Sequence, residues 1–124
     1  MVIQESEEMY LETIYLLKRR EINVHAVDIA TELNYSRPSV SRAIGLLKDR
    51  GYITVDSDRG ISFTEEGEKK AEAVYEKHRV ITDLFIGMGA NEVLAEQNAC
   101  RIEHVISEEM FDVLKAYYEK LQSI

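Results

Sequence analysis

The residues richest in chemistry stand close together late in the chain, in the run Cys100-Arg101-Ile102-Glu103-His104. On a helix, positions i, i+3 and i+4 share a face, so a thiol, a carboxylate and an imidazole converge. Glu96, one turn earlier, extends the stripe. A mixed sulfur, nitrogen and oxygen set suits Fe(II), Co(II), Ni(II) or Zn(II) better than Ca(II) or Mg(II). Three ligands on one helix rarely complete a coordination sphere, so other segments must contribute. His78 is the first candidate; Met9 and Glu12, at i and i+3 near the start of the chain, come next. Each residue has an ordinary alternative. A lone Cys or Met fills a core, His78 between Lys77 and Arg79 reads as a surface residue, and glutamates are usually solvated. The cluster, not any single member, carries the reading. His25 shows no partner and is taken as structural.

A second group points to phosphate and base-edge recognition: Ser36, Arg37, Pro38, Ser39, Ser41 and Arg42. Hydroxyls and guanidinium groups on the first turns of a helix are donors, and the helix N-terminus adds its amides. Arg59, in a turn between two short apolar runs, is a natural companion. Ordinary capping and solvated polarity is the competing account. Asp56 and Asp58 are unfavourable near a phosphate and limit what that turn can contact.

The elements needed to position these groups follow from the pattern. A helix is predicted from about Glu5 to Arg20, with Met9, Leu11, Ile14, Tyr15 and Leu17 on a broad apolar face. A short helix over Ala26–Leu33 follows, then a turn at Asn34-Tyr35. A third helix starts at the N-cap Ser36, tolerates Pro38 in its first turn and stops at Gly51. Tyr52–Val55 and Ile61–Thr64 flank Asp56–Gly60 as a hairpin. Helices then run from Thr64 to about Met88, from Asn91 to Ile106, and from Ser107 to about Leu121. Helix, short helix, turn, helix and hairpin make a winged helix-turn-helix, with the third helix in the major groove and the hairpin tip on neighbouring phosphates or in the minor groove. The fold class is mainly α, with residues 1–63 as the winged helix-turn-helix DNA-binding domain. Residues 64–124 are expected to form a helical domain that carries most of the candidate metal ligands.

Composition bounds this picture. The 124 residues are 45% hydrophobic and 31% charged, an ordinary globular balance for one domain or two small ones. One cysteine excludes an internal disulfide and a multi-cysteine zinc site. No run approaches the roughly 20 apolar residues of a membrane span. The acidic start, Gln4 to Glu8, is not a signal peptide, so a cytoplasmic protein is expected. The net charge of −8 is unevenly divided: residues 1–62 carry 8 basic and 10 acidic groups, residues 63–124 carry 7 and 13. Arg37, Arg42, Lys48 and Arg50 face only Asp49 within 36–50, a local +3. DNA binding needs a basic face rather than a basic protein.

Five stretches occur in the order and spacing of one family. They are Glu8-Met9-Tyr10-Leu11-Glu12-Thr13-Ile14-Tyr15, the Ser36-Arg37-Pro38-Ser39-Val40-Ser41 turn, the wing, Lys77-His78-Arg79, and the run from Ala99 to Ser107. Over essentially its whole length the chain resembles the diphtheria-toxin-repressor family of metal-dependent transcriptional repressors, in its two-domain form without an SH3-like domain. The resemblance implies a homodimer through the C-terminal helices, binding a palindromic operator and controlling metal homeostasis genes. It also implies a primary metal site of Met9, Cys100, Glu103 and His104, as in the iron branch; the manganese branch has carboxylates at the first two positions. Thioether and thiolate favour softer ions than Mn(II), so Fe(II) is the expected metal, with Mn(II) or another divalent transition ion as the alternative. For a second site the resemblance gives His78, Glu12, Glu96 and Glu103. Thr82 and Glu96 stand where the iron branch has a glutamate and a histidine. Leu84, Phe85, Met110, Phe111, Leu114, Tyr117 and Tyr118 supply more apolar surface than a three-helix half needs alone and are expected at an interface, the ordinary alternative being that they form its internal core.

Two rivals belong to other classes. A winged-helix regulator sensing oxidation at Cys100 needs an exposed, low-pKa thiol, and Arg101 is its only adjacent cation. An enzyme using Cys100 and His104 lacks an oxyanion loop and a phosphate-cradling glycine motif, so no enzymatic activity is expected.

Overall fold

A computed structural model of the chain describes residues 3–20 and 23–123, with side chains from Glu7 onward; of the acidic start, only Glu7 and Glu8 have described side chains. The chain divides into two compact units, Met1–Glu72 and Ala73–Ile124.

The first unit contains α1 (Ile3–Arg19), α2 (Ala26–Leu33), α3 (Arg37–Asp49), β1 (Ile53–Val55), β2 (Ile61–Phe63) and the start of α4 (Glu65–Gly87). Its core gathers Leu11, Ile14 and Leu17 from α1, Ile29 from α2, Val40 and Leu47 from α3, and Ile53 and Ile61 from the strands. The turn between α2 and α3 relies on Asn34 in the left-handed region, φ 57°, which asparagine tolerates well. Ser36 then caps α3 as predicted, its hydroxyl accepting from the Ser39 amide. The strands pair antiparallel in the register Ile53 with Phe63, Thr54 with Ser62 and Val55 with Ile61. The wing turn is built by Asp56, whose carboxylate accepts from the amides of Asp58 and Gly60 at 2.9 and 2.8 Å. That carboxylate is therefore committed to the turn. Gly67 is required where α4 leaves the wing: a Cβ there would stand 1.8 Å from the Tyr52 carbonyl oxygen.

His25 has partners that the sequence does not show. Its ring nitrogens face the Asn23 carbonyl at 2.8 Å and the Asp58 carbonyl at 3.2 Å, and its amide donates to Asp28 at the start of α2. The residue thus ties the α2 start to the wing. Glu7 is buried yet paired, with Lys70 and Arg50 each at 2.7 Å. Arg50 is therefore shared with Glu7, which weakens the basic cluster expected over 36–50.

The second unit comprises the rest of α4, then α5 (Glu92–Ile102) and α6 (Glu108–Gln122). Val80, Leu84 and Phe111 form its core, with Ile106, Leu114 and Tyr118 packed against them. Polar links fasten α6 to α4: Lys77 to Glu108, Lys115 to Glu76 at 3.1 Å, and the Tyr118 hydroxyl donating to Asp83 at 2.7 Å. The seven apolar residues expected at an interface divide. Leu84, Phe111, Leu114 and Tyr118 are used by the internal core, Phe85 is half-buried, and Met110 and Tyr117 are exposed. The expectation undercounted the core because a three-helix unit has few other large side chains to fill it. Exposed Met88, Val93, Val105 and Val113 lie outside the expected set.

A second departure concerns α5. It ends at Ile102, not Ile106, and Glu103 is its C-cap with φ −57° and ψ −28°. Glu103 keeps its place below Ala99, whose carbonyl accepts the Glu103 amide at 2.9 Å; His104 stands in the following turn. The predicted helix boundary was blurred because Val105 and Ile106 continue the apolar spacing, whereas the Ser107 cap of α6 demands a change of direction.

Candidate metal centre and nucleic-acid interface

In the second unit, α4 supplies His78 and the C-terminal turn of α5 supplies Cys100 and Glu103. One donor atom from each of the three lies within 4.8 Å of the others. Two ligands of one transition ion, each at about 2.0–2.3 Å, stand up to roughly 4.5 Å apart, so small rotamer changes suffice to share an ion. Glu103 is fully buried, and among the described residues no hydrogen-bond donor is aligned with either of its oxygens. Oε2 lies 3.0 Å from His78 Nδ1 and Oε1 lies 3.2 Å from His104 Nε2. These are ion-pair distances whose ring N–H directions miss the oxygens. Burial pushes the Glu103 carboxyl up, but the neighbouring His104 and His78 outweigh it and hold the group below the usual carboxylate range.

A buried carboxylate without aligned donors costs free energy unless something positive meets it. The thiolate, imidazole and carboxylate donors fit a divalent transition metal, and the fully buried carboxylate supplies the charge to hold it. Glu96 lies on the far side of His78, 3.6 Å from Nε2 and more than half exposed. That distance is too long for a hydrogen bond. Cys100 is exposed and, with His78, Glu96, Gln97 and Arg101, lines an open pocket. The Thr82 hydroxyl is buried without a hydrogen-bond partner among the described residues.

The two candidates on α1 belong to the first unit. Glu12 is buried. Met9 is half-buried against the core, and its sulfur accepts from the Tyr35 hydroxyl at 3.7 Å. Nothing in the sequence marks Tyr35, which is 26 residues away and outside any helical spacing with Met9.

The nucleic-acid candidates form a coherent face. Ser36, Arg37, Pro38, Ser41 and Arg42 are exposed on the first turns of α3, while Ser39 is half-buried. Ser39 organises this face, accepting from the Ser36 hydroxyl at 2.9 Å and from the Arg42 guanidinium at 3.4 Å. Arg59 is exposed at the wing tip with φ 65°, a left-handed conformation held by the Asp56 turn.

Comparison with known proteins agrees with both halves of this description. Residues 3–61 match the family model for the N-terminal DNA-binding domain of iron-dependent repressors, and residues 64–123 match that for their metal-binding and dimerisation domain. The chain is 39% identical over 110 residues to the diphtheria toxin repressor of Corynebacterium diphtheriae, covering 86% of this chain and 47% of that protein. It is 39% identical over 109 residues to the iron-dependent repressor IdeR of Mycobacterium tuberculosis, covering 86% and 46%. The solved structure of the manganese regulator SloR superposes with a TM-score of 0.78 at 26% identity, covering 91% of this chain and 53% of SloR. The chain thus spans about half the length of these relatives, whose names include both iron and manganese. The two sequence relatives and both family models are named as repressors, not enzymes, and SloR as a regulator. A winged DNA-reading unit, a buried metal-ready carboxylate and the match of both family models over nearly the whole sequence lead to one conclusion: this chain belongs to the diphtheria-toxin-repressor family of metal-dependent transcriptional repressors.

Proposed function

We propose that this chain is an Fe(II)-dependent repressor that binds a palindromic operator as a cytoplasmic homodimer and controls metal homeostasis genes. Residues 1–63 serve as the DNA-binding domain and 64–124 as the metal-binding and dimerisation domain. The observation that carries the reading is the buried Glu103 carboxylate, without an aligned donor and close to His78 and Cys100. His78, Cys100, Glu103 and His104 hold the metal, with Met9, Glu12 and Glu96 as the remaining candidate ligands. A bound divalent ion would give the buried carboxylate a directly coordinated partner and the surrounding donors a common centre. Cys100 and Met9 bias the set towards softer ions, which favours Fe(II) over Mn(II). Ser36, Arg37, Pro38, Ser39, Ser41, Arg42 and Arg59 contact DNA: hydroxyls and the α3 amides meet phosphates, and the guanidinium groups meet phosphates or base edges.

Regulation follows as a population shift: ligand closure on the metal favours the arrangement that binds the operator, with a coupling of about 1–3 kcal/mol. Anaerobic titration of metal-free protein with Fe(II) or Mn(II), followed by a mobility shift on a palindromic operator, tests this. Tighter DNA binding with Fe(II) is expected. Cys100→Ala and His104→Ala should lose the metal response while keeping the metal-free fold. Equal or better activation by Mn(II) would overturn the ligand-softness argument. A second reading, oxidation sensing, is favoured by the exposure of Cys100; peroxide-dependent release from DNA in metal-free protein would support it instead.

A further inference from the structure

Met9 and Tyr35 lie in the same unit, and the phenolic O–H of Tyr35 donates to the thioether sulfur at 3.7 Å. The two side chains are not equally constrained. The Tyr35 amide donates to the Ala30 carbonyl at 3.1 Å, closing the turn after α2. Its ring stands edge-on to Tyr10, with centroids 6.3 Å apart and planes at 64°. The next residue, Ser36, caps α3. Met9, by contrast, has an unbranched side chain with three rotatable bonds. A rigid donor facing a flexible acceptor fixes the acceptor. A thioether is a weak acceptor, so the contact acts by limiting rotamers rather than through a large bond energy.

We infer that Tyr35 is a positioning residue for the Met9 sulfur, tying the soft ligand of the proposed metal centre to the turn that leads into α3. The inference rests on the reading of Met9 as a ligand. One sulfur lone pair accepts from the hydroxyl and the other remains for a metal. The side chain is thereby ordered before an ion arrives, and a change at the thioether is felt one residue from the α3 cap. Outer-shell partners of metal ligands are typically worth 10–100-fold in affinity; the weak acceptor places Tyr35 at the lower end, about tenfold.

Tyr35→Phe deletes the O–H and keeps the ring against Tyr10. The first readout uses metal-free protein carrying labelled methionine methyl groups, with Met9 assigned among the four methionines by Met9→Leu. The Met9 methyl should show restricted rotamers in the wild type and move towards an averaged shift in Tyr35→Phe. Fe(II) affinity should fall about tenfold in Tyr35→Phe, with a smaller change for Mn(II), which gains little from a thioether. In a Met9→Leu background, Tyr35→Phe should cause no further loss. An unchanged methyl signal, or an equal and additive loss in the Met9→Leu background, overturns the positioning role. If Met9→Leu itself leaves Fe(II) affinity unchanged, the ligand reading of Met9 fails, and this inference with it. The methyl spectrum tells these two failures apart.

Discussion

Among the buried carboxylates, Glu7 of the first unit and Glu103 of the second are treated in opposite ways. In the DNA-binding unit, Glu7 is 7% exposed and its two oxygens meet Lys70 and Arg50, each at 2.7 Å. In the metal-binding unit, Glu103 is 0% exposed, and the two imidazoles beside it are within ion-pair distance without aiming a hydrogen bond at it. A saturated buried charge fastens one part of a fold to another. An under-satisfied one leaves room for a cation. The same residue type thus serves architecture in one unit and, in the function proposed for Glu103, metal binding in the other, and its partners decide which.

The largest expected difference is in the response to metal. Glu103→Gln should lower Fe(II) affinity on the order of 100-fold, since the isosteric amide keeps the shape of the ligand but loses its charge. In the wild type, metal at 100 times its dissociation constant should add about 2.7 kcal/mol of stability. Calorimetry of Glu103→Gln should show that gain nearly abolished, while Glu7→Gln keeps it. If Glu7→Gln also lost it, the two carboxylates would not be functionally distinct.

A smaller effect is expected from Glu7→Gln on the metal-free protein. Removing one partner of a buried pair typically costs about 3–5 kcal/mol when the other charge stays buried. Here Arg50 and Lys70 are 48% and 28% exposed and can return to water, so about 1–2 kcal/mol is expected. Urea denaturation checks this; no change in midpoint would remove Glu7 from the structural role.

The smallest effect is the pH dependence of that same pair. Burial lowers the Lys70 ammonium, but its bonds to Glu7 and Tyr52 more than offset this and hold it above the usual lysine range. A raised folded-state value gives stability that is fully present below the unfolded value of about 10.4 and is lost as pH rises through the folded one. The stability gap between wild type and Glu7→Gln should therefore be level from pH 7 to 9 and shrink above about pH 10.4. A gap that widened there would reverse the sign of the argument.

Much of the fold was legible because local signals coincided. Ser36 caps α3 where the sequence indicates, α5 and α6 begin within a residue of the predicted Asn91 and Ser107 starts, and the apolar spacing of α1 and α3 matches the faces they bury. The metal candidates were half legible. Cys100 and Glu103 are neighbours through helical spacing, which sequence states directly, whereas His78 comes from another helix and was chosen by residue type and by the family resemblance. Arg50 belonged on paper to the basic cluster, and only its contact with Glu7 shows that its charge is shared. The Tyr35 contact with Met9 and the His25 contact with Asp58 were unreadable because they join residues 26 and 33 positions apart, across turns.

By itself, then, the sequence determined the order of elements, the caps, the polar face of α3 and the pairing of thiol with carboxylate along α5, since all of these depend on spacing within one segment. Tertiary structure alone decided which charges are matched. It gave Arg50 and Lys70 to Glu7, brought His78 to Glu103 and Cys100, and drew Leu84 and Phe111 into the core. The reason is physical: whether a buried carboxylate is satisfied depends on donors from other elements and on their direction in space, and neither is written in the spacing of its own helix.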